Sequence, residues 1–517
     1  MTFDTKIEST AVRMESDSIA SSHGIGNGAV ENGSIADGVP WSSKLPNNEK
    51  MGLKDGLLNY FPRYKLKRSG TVHIDERPPF LQAIAYGLQH ALAMFSATVF
   101  ILSDGDDAGT SKRQAHAILL AALFFSGIAT IIFFITTGGR VPSYLGSSAS
   151  VLGAFQSITG FDPATSTTGL NENISKAQGA LIVLALIYIG ISILVILFGY
   201  RWVEFFMPPI VTGSVVASIG VHLVFSALNQ ATATTFDFYM AIVTVMSTML
   251  ISVYAPLPSI RRISILLGLI IGYVVHIICG VAGVGYPVDF TEVESIAWVR
   301  GPRISRPIIF DKQAISTITP LIMVLIAENI GHIKAISSLT NQPMEKYLGR
   351  AYLGDALSTL MAGCVGSAPL TTYAENIGVL SVTHIFSPLV ILVAAGVAII
   401  LGCIAKFGAV VRSIPNGVFG GIAFVLYSLI AITGIRIWVM NRIDFTDPRN
   451  IYVGGIPLCL AAAMTTTSLK INDFNLDATG ASCFASIILY QLLRGVDGFK
   501  IYYQSIKEQW QRRHRPI

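Results

Sequence analysis

The sequence predicts an all-α polytopic membrane protein with 14 transmembrane segments, arranged as two inverted repeats of seven. Of its 517 residues, 52% are hydrophobic and only 13% are charged, whereas about a quarter of the residues in soluble proteins are charged. The mean hydropathy is +0.59, and long apolar runs alternate with short charged clusters. A short segment rich in Gly, Ser and Thr interrupts each half of these runs at the same position. This composition excludes fibrous and disordered proteins and gives no indication of nucleic-acid binding.

The distribution of charge along the chain suggests five divisions. Both ends are polar, and the N-terminus has no apolar region of the kind found in a secretory signal peptide. The predicted divisions are a disordered cytosolic N-terminal tail (1–77), a first seven-span repeat (78–282), a connecting loop (283–313), a second, inverted seven-span repeat (314–495) and a cytosolic C-terminal tail (496–517).

The apolar runs are compared with the length of about 20 residues that a helix needs to cross a bilayer. The expected spans of the first repeat are 80–103, 114–136, 141–157, 176–199, 206–227, 237–255 and 262–282. Those of the second repeat are 314–339, 351–367, 371–383, 385–405, 413–434, 451–468 and 477–495. An odd number of spans in each repeat gives the two repeats opposite orientations. Lys and Arg are more frequent in the loops that face the cytosol when both termini are cytosolic, as the positive-inside rule requires, and we expect a plasma-membrane protein.

The third span of each repeat is the short one, and each overlaps a stretch rich in Gly, Ser or Thr, Val141–Phe155 or Gly366–Val379. Interrupted spans at matching positions of two repeats point to the binding site of an inverted-repeat transporter. Such breaks leave backbone N–H groups available for carbonyl or anionic oxygens of a substrate.

Glu328 and His332 lie in the middle of the apolar helix predicted at Leu321–Leu339, and both are ionisable. They are four residues apart and therefore share a helix face. Ionisable groups at membrane depth are costly and usually mark a substrate path or a proton relay. Glu328 can accept hydrogen bonds from substrate N–H groups or take up a proton, which His332 could share. The alternative is a structural pair that joins helices.

Glu375 supplies a second carboxylate within the Gly366–Val379 break. Two carboxylate acceptors combined with backbone donors complement a planar heterocycle that alternates N–H and C=O groups, such as uracil or xanthine. A plain anion would be repelled by the two acidic side chains. We therefore predict a nucleobase-binding site.

Other polar residues within the spans are given supporting roles. Gln89 and His90 could contact substrate, but an interhelical tie to the broken spans is preferred. Asp355 is assigned to backbone binding at the breaks rather than to a proton path. Tyr427 either faces the site or packs between helices. The five cysteines form no CxxC pair or metal-binding spacing, and the sequence contains no Walker loop, Rossmann fingerprint or nucleophile elbow, so no metal, cofactor or enzymatic activity is predicted.

The motif Glu375-Asn376-Ile377-Gly378, with Thr383 five residues after its glycine, resembles the signature of the nucleobase/ascorbate transporters, also called xanthine/uracil permeases. The LQH, YLGSS, AENIGH and TTYAENIGV stretches are most similar to the uracil permeases of that family. The similarity covers about residues 76–495. It implies core and gate domains, a homodimer, and nucleobase transport that is often coupled to protons.

By position, the resemblance implies a specific set of site residues. Glu328 and Glu375 correspond to the substrate-binding carboxylates, and Glu328 with His332 to the proton-coupling pair. The remaining implied positions are the pocket-lining Ala97, Ser148, Ala149, Tyr373 and Ala374, the gate-side Tyr427, and the supporting Gln89, His90, Asn376 and Asp355.

Three departures from the family pattern bear on substrate preference. Ala149 replaces a ring-stacking Phe, Ala374 replaces a Gly, and His384 replaces an Arg, Lys or Gly. The sequence thus predicts a proton-coupled symporter that imports uracil or a related oxopyrimidine by alternating access. A xanthine or uric acid permease is the first alternative, because Ala149 would enlarge the pocket. An anion exchanger of the same fold is the second.

Overall fold

The computed structural model describes residues 60–103, 112–148, 151, 155, 158, 173–257, 260–261, 263–299, 301, 307–464, 469–471, 474–476 and 478–495. The helices are α1 (Phe80–Ser103), α2 (Lys112–Thr136), α3 (Asn173–Phe198), α4 (Arg201–Phe206), α5 (Pro209–Ala231), α6 (Thr235–Tyr254), α7 (Ser264–Val281), α8 (Thr291–Ser295), α9 (Lys312–Ile318), α10 (Ile322–Thr340), α11 (Leu348–Val365), α12 (Ala374–Thr383), α13 (Pro388–Cys403), α14 (Ala405–Arg412), α15 (Asn416–Met440), α16 (Pro448–Ala463) and α17 (Ala478–Leu493). The strands are β1 (Lys65–Leu66), β2 (Glu76–Arg77), β3 (Leu145–Ser147), β4 (Leu370–Thr372), β5 (Leu469–Ile471) and β6 (Phe474–Leu476).

The described chain is mostly helical, as predicted, and it is a multi-pass membrane protein. Seven helical segments among the described residues are long and apolar enough to cross a bilayer. They are Ile118–Thr136, Asn173–Phe198, Pro209–Ala231, Thr235–Tyr254, Ser264–Val281, Lys312–Thr340 and Asn416–Met440. The short helix α8 lies between the last predicted span of the first repeat, at α7, and the first predicted span of the second repeat, which begins at α9.

The span predicted at 314–339 is not one regular helix. It consists of α9, a 3₁₀ turn at Thr319–Leu321 and then α10. Pro320 lies in that turn and has no backbone N–H, so the regular hydrogen-bond ladder cannot pass through it. The site residues Glu328 and His332 follow this break, on α10.

The helices pack as two groups. The strand-bearing group comprises β3, β4, α1, α2, α3, α11, α12 and α13, and in it α3 packs on α11 and α2 packs on α13. The α5/α15 group comprises α5, α6, α7, α15, α16 and α17, in which α5 packs on α15, α6 on α7 and α16 on α17. Helix α10 contacts members of both groups.

The two interrupted segments meet as a short antiparallel sheet. Strands β3 and β4 pair with Leu145 opposite Thr372 and Ser147 opposite Leu370. All residues of both strands are buried. Extended backbone is therefore placed in the interior, where strand pairing satisfies its polar groups, as expected for non-helical backbone at membrane depth.

Small residues allow α5 and α15 to approach closely. A side chain at Gly220 would meet the backbone of α15, and one at Gly434 would meet the backbone of α5. Trp438 Nε1 donates a hydrogen bond of 2.9 Å to the carbonyl oxygen of Ile210. Close backbone approach through small residues is a common way for membrane helices to associate.

Helix α16 contains Pro457, which leaves the carbonyl four residues earlier without its helical donor. That carbonyl belongs to Val453, and it accepts hydrogen bonds from Ser214 Oγ at 2.9 Å and Ser486 Oγ at 3.4 Å. These serines lie on α5 and α17, so the proline break is satisfied by the two neighbouring helices.

Candidate functional site

A pocket lies where the two helix groups face each other across α10. Its empty volume is about 560 Å³, including the space open to solvent. The lining residues are Ser147, Val216, Ile219, Glu328, His332, Thr372, Tyr373, Ala374, Glu375, Leu426, Tyr427, Ile430 and Thr433. Six of the residues singled out in the sequence are thereby brought to one cavity: Glu328, His332, Tyr373, Ala374, Glu375 and Tyr427.

Helix α10 presents Glu328 and His332 to the pocket. The His332 side chain is buried, and its Nδ1 lies 2.8 Å from Thr372 Oγ1 on β4. Ser148 Oγ donates to Glu328 Oε2 at 3.5 Å. Glu328 and His332 are therefore linked to the interrupted segments, one to each.

Glu375 reaches the same pocket from the first turn of α12. Tyr373 is the N-cap residue of α12. Its hydroxyl donates to the carbonyl oxygen of Ser147 at 2.9 Å, and its backbone N–H donates to the carbonyl oxygen of Tyr144 at 3.0 Å. The N-terminal end of a helix favours negative charge, because its first N–H groups have no helical acceptors. The turn from β4 into α12 thus places the Glu375 carboxylate at the N-terminal end of α12, where a negative charge is stabilised.

The opposite wall comes from α5 and α15 and is largely apolar. Val216 and Ile219 lie on α5, and Leu426 and Ile430 lie on α15. Tyr427 is buried on α15 among them. A second hydroxyl on this wall, that of Thr433, donates to Leu429 O of its own helix at 2.8 Å.

His90 and Asn376 tie α1 to α12. Asn376 Nδ2 lies 3.0 Å from His90 Nδ1 and 3.0 Å from the carbonyl oxygen of His90. Gln89 differs, because its buried Oε1 has no hydrogen-bond partner among the described residues. The hydrogen bonds at His90 therefore join α1 to the Asn376 side chain of α12, whereas the interhelical tie predicted for this position is to exposed backbone.

Asp355 is fully buried on α11 and is not among the residues that line the pocket. Its Oδ2 accepts hydrogen bonds from Asn329 Nδ2 at 2.6 Å and from Thr371 Oγ1 at 3.0 Å. Asn329 follows Glu328 on α10, and Thr371 belongs to β4. The carboxylate therefore connects the site helix to an interrupted segment through side chains.

Three predicted pocket-lining positions are not among the lining residues of the pocket. Ser148 reaches the pocket through its hydrogen bond to Glu328, and the side chains of the other two are not described. Ala149 lies outside the described residues, and although Ala97 belongs to α1, its side chain is not among those described. Conversely, Ser147 and Thr372 line the pocket without having been singled out individually. Their segments carried the signal, since both are short and rich in small polar residues.

Solved structures show which class of fold this is. The chain resembles the transmembrane domain of a cyanobacterial bicarbonate transporter, BicA, with a TM-score of 0.52 and 15% identity over 81% of this chain and 98% of that one. It also resembles the murine Solute Carrier 26 family member A9 anion transporter, with a TM-score of 0.56 and 12% identity over 85% of this chain and 70% of that one. The fold is thus that of membrane transporters.

Sequence comparison defines the family. A profile of the xanthine/uracil permeases, described as the permease family, matches residues 81–470. A protein of Escherichia coli (strain K12) that carries the name pyrimidine permease RutG is 42% identical, over 84% of this chain and 95% of its own length. The uracil permease of Escherichia coli (strain K12) is 31% identical over 76% of this chain and 87% of its own, and that of Bacillus subtilis (strain 168) is 28% identical over 83% and 96%.

The chain belongs to the xanthine/uracil permease family. The resemblance inferred from its motifs is therefore confirmed. Its named relatives are permeases, which are transporters and not enzymes.

Proposed function

We propose that this protein is a permease for uracil or a closely related oxopyrimidine. The observation that carries the proposal is that Glu328 and Glu375, from separate elements, line the same pocket. Relatives named uracil permeases support the substrate class. A lactam ring presents N–H donors to carboxylates and C=O acceptors to backbone N–H groups, which matches this set of groups.

In the proposed complex, Glu328 and Glu375 accept the ring N–H groups, and the first N–H groups of α12 face a ring carbonyl. Tyr373 and Ala374 border the ring, because they form the turn that leads into Glu375. Ser148 orients Glu328 through its hydrogen bond, and Tyr427 closes the pocket from the α15 side. Ala97 and Ala149 are proposed to complete the wall.

We also propose that import is coupled to protons through Glu328 and His332. A carboxylate and an imidazole on one helix face can share and pass a proton as the substrate binds. The hydrogen bond between His332 and Thr372 places this pair next to an interrupted segment, so that a change in protonation acts where the substrate is held.

Alternating access is proposed to arise from movement of the strand-bearing group, as a core, against the α5/α15 group, as a gate. The proposed arrangement of 14 spans in two inverted repeats is supported by the packing. In this arrangement α2 and α3 of the first repeat correspond to α11 and α13 of the second, so the packed pair α3–α11 is equivalent to the packed pair α13–α2. In the same way α6 and α7 correspond to α16 and α17, and each of these two pairs packs together. A homodimer in the plasma membrane with both termini in the cytosol completes the proposal.

Labelled-substrate uptake tests this function. Cells that lack their own nucleobase carriers would be supplied with uracil, xanthine or urate at several external pH values, with and without a protonophore. We expect saturable uracil uptake that rises as the external pH falls and that collapses with the protonophore. Absence of uptake of all three compounds would refute the nucleobase proposal. Uptake that is indifferent to pH and protonophore would refute the coupling alone.

The same assay separates the two alternatives. A preference for xanthine or urate over uracil would favour the purine permease. Bicarbonate or sulfate exchange without nucleobase uptake would favour an anion exchanger. We disfavour the exchanger because the residues lining the described pocket include two carboxylates and no Lys or Arg.

A further inference from the structure

Residues 60–77, which we call the N-terminal strap, pack on the strand-bearing group, although the sequence assigns them to a tail. Tyr60 Oη donates to the carbonyl oxygens of Ile135 and Thr136, both at 2.8 Å, and Tyr64 Oη donates to Gly139 O at 2.8 Å. The last carbonyls of a helix have no helical N–H partner. The strap therefore caps the C-terminal end of α2 and the turn after it.

The turn after α2 is shaped to accept the strap. Gly138 and Gly139 have φ values of +67° and +60°, a conformation that side chains disfavour. A side chain at Gly139 would also collide with the Tyr64 hydroxyl. Beside this turn, the ring of Phe61 stacks on that of Phe134 with centroids 5.5 Å apart.

A second contact lies just after the other interrupted segment, beyond the C-terminal end of α12. Val72 N donates to His384 O at 3.0 Å, and Phe386 N donates to Val72 O at 2.8 Å. Val72 is buried and packs with Ile385 and Val390. His384 is the C-cap residue that follows α12, and its backbone is in a left-handed conformation.

The strap holds its own shape between these contacts. Strands β1 and β2 pair within it, with Lys65 opposite Glu76. The Glu76 carboxylate accepts from the His73 N–H at 2.9 Å and lies 3.0 Å from Lys67 Nζ. These bonds close residues 65–77 into a compact loop, so its two anchor points are connected by structured chain.

The two anchors flank the two segments that form the polar part of the pocket. The first anchor forms hydrogen bonds to Ile135–Gly139, which lie a few residues before β3. Strand β3 contributes Ser147 to the pocket. The second grips the end of α12, which contributes Glu375. We infer that the strap is a positioning element that fixes the two interrupted segments relative to each other and thereby sets the geometry of the pocket. Its effect on substrate affinity rests on the proposed function, whereas its effect on the segments does not.

The test uses the full-length protein with two strap variants. Val72→Pro removes the N–H that bonds to His384, and Tyr60→Phe with Tyr64→Phe removes the two hydroxyls while keeping the rings. Tyr452→Phe is the control, because Tyr452 lies on α16 and its side chain is largely exposed. Hydrogen exchange would be measured across β3, β4 and α12, and the KM for uracil would be measured in cells with matched surface levels.

We expect exchange in β4 and α12 to become about two- to tenfold faster in both strap variants, which corresponds to the loss of one or a few hydrogen bonds. The KM for uracil should rise by a similar factor, while the control changes neither quantity. Faster exchange confined to residues 60–77, or a fall in surface level with an unchanged KM, would overturn the positioning role. If the wild-type protein does not take up uracil, the proposed function fails and the exchange data alone decide the role of the strap.

Discussion

The two walls of the pocket differ in chemistry. The wall formed by the strand-bearing group and α10 presents two carboxylates, an imidazole and three buried residues with hydroxyl groups, Ser147, Thr372 and Tyr373. The wall formed by α5 and α15 presents mostly aliphatic side chains. Directional hydrogen bonds are therefore concentrated on one side.

This difference suggests a division of labour. Hydrogen bonds to charged groups contribute about 1.5–3 kcal/mol each, so under the proposed function we expect the polar wall to determine which ring is bound. Aliphatic contacts are non-directional and remain favourable when one surface slides along another. The polar wall can thus carry a substrate past the apolar wall without breaking specific bonds at each step.

The largest effect is expected for Glu375→Gln. The substitution keeps the shape of the side chain and removes a charged acceptor, so the affinity for uracil should fall by roughly 10- to 150-fold. The measurement is uracil uptake at matched surface expression. Glu294→Gln, an exposed carboxylate on α8, is the control and should behave as the wild type. An unchanged affinity in Glu375→Gln would remove this residue from the site.

A smaller effect is expected for Thr372→Val, which leaves His332 Nδ1 without its hydroxyl partner. The KM for uracil should rise about two- to tenfold, as for the loss of one net hydrogen bond. Thr433→Val is the matched substitution on the apolar wall and should have less effect, because that hydroxyl bonds to its own helix. Equal effects of the two substitutions would contradict the proposed difference between the walls.

A still smaller effect is expected for Ile430→Val on the apolar wall. Removing one methylene group there costs about 0.8 kcal/mol at most, so affinity should change by less than about fourfold. Competition binding with uracil would measure it. A loss as large as that of Glu375→Gln would show that the aliphatic wall also selects the ring.

The smallest effect is expected for the contribution of Glu76 to the stability of the N-terminal strap. The His73 backbone N–H, followed by the Lys67 ammonium, lowers the pKa of the Glu76 carboxyl. Because this pKa is lower in the folded state than in the unfolded chain, the ionised Glu76 carboxylate stabilises the strap at pH values above the pKa of the unfolded chain. That stabilisation is lost as the pH falls through the folded-state pKa. Protection factors within the strap, which are corrected for the intrinsic pH dependence of amide exchange, should therefore fall on acidification in the wild type, and Glu76→Gln should remove that fall. An identical pH response in both proteins would exclude this contribution.

Part of the site could be predicted from the sequence because charge in an apolar span is conspicuous. Glu328, His332 and Glu375 stand out for this reason, and all three reach the pocket. The interrupted segments are detectable because they are too short for a helical span and rich in small residues. Their direct pairing through β3 and β4 is a finding of the structure, because the sequence places both segments at the binding site without indicating that they form a sheet.

The other residues could not be found in this way. Val216 and Leu426 look the same in sequence whether they face lipid, another helix or a pocket, because all three surroundings are apolar. Ser147 could not be distinguished from its serine and glycine neighbours. The strap was missed because its segment is polar and aperiodic, and because its anchors are hydrogen bonds to distant carbonyls, which leave no local pattern.

The central claim is that two carboxylates on one wall recognise the ring N–H groups. Calorimetric binding to the purified protein tests it most directly by comparing uracil with 1,3-dimethyluracil, which keeps both carbonyls and lacks both N–H groups. The account predicts that uracil binds and that the dimethyl compound binds at least about tenfold more weakly, because each carboxylate loses its donor. Equal affinity for the two compounds would contradict it.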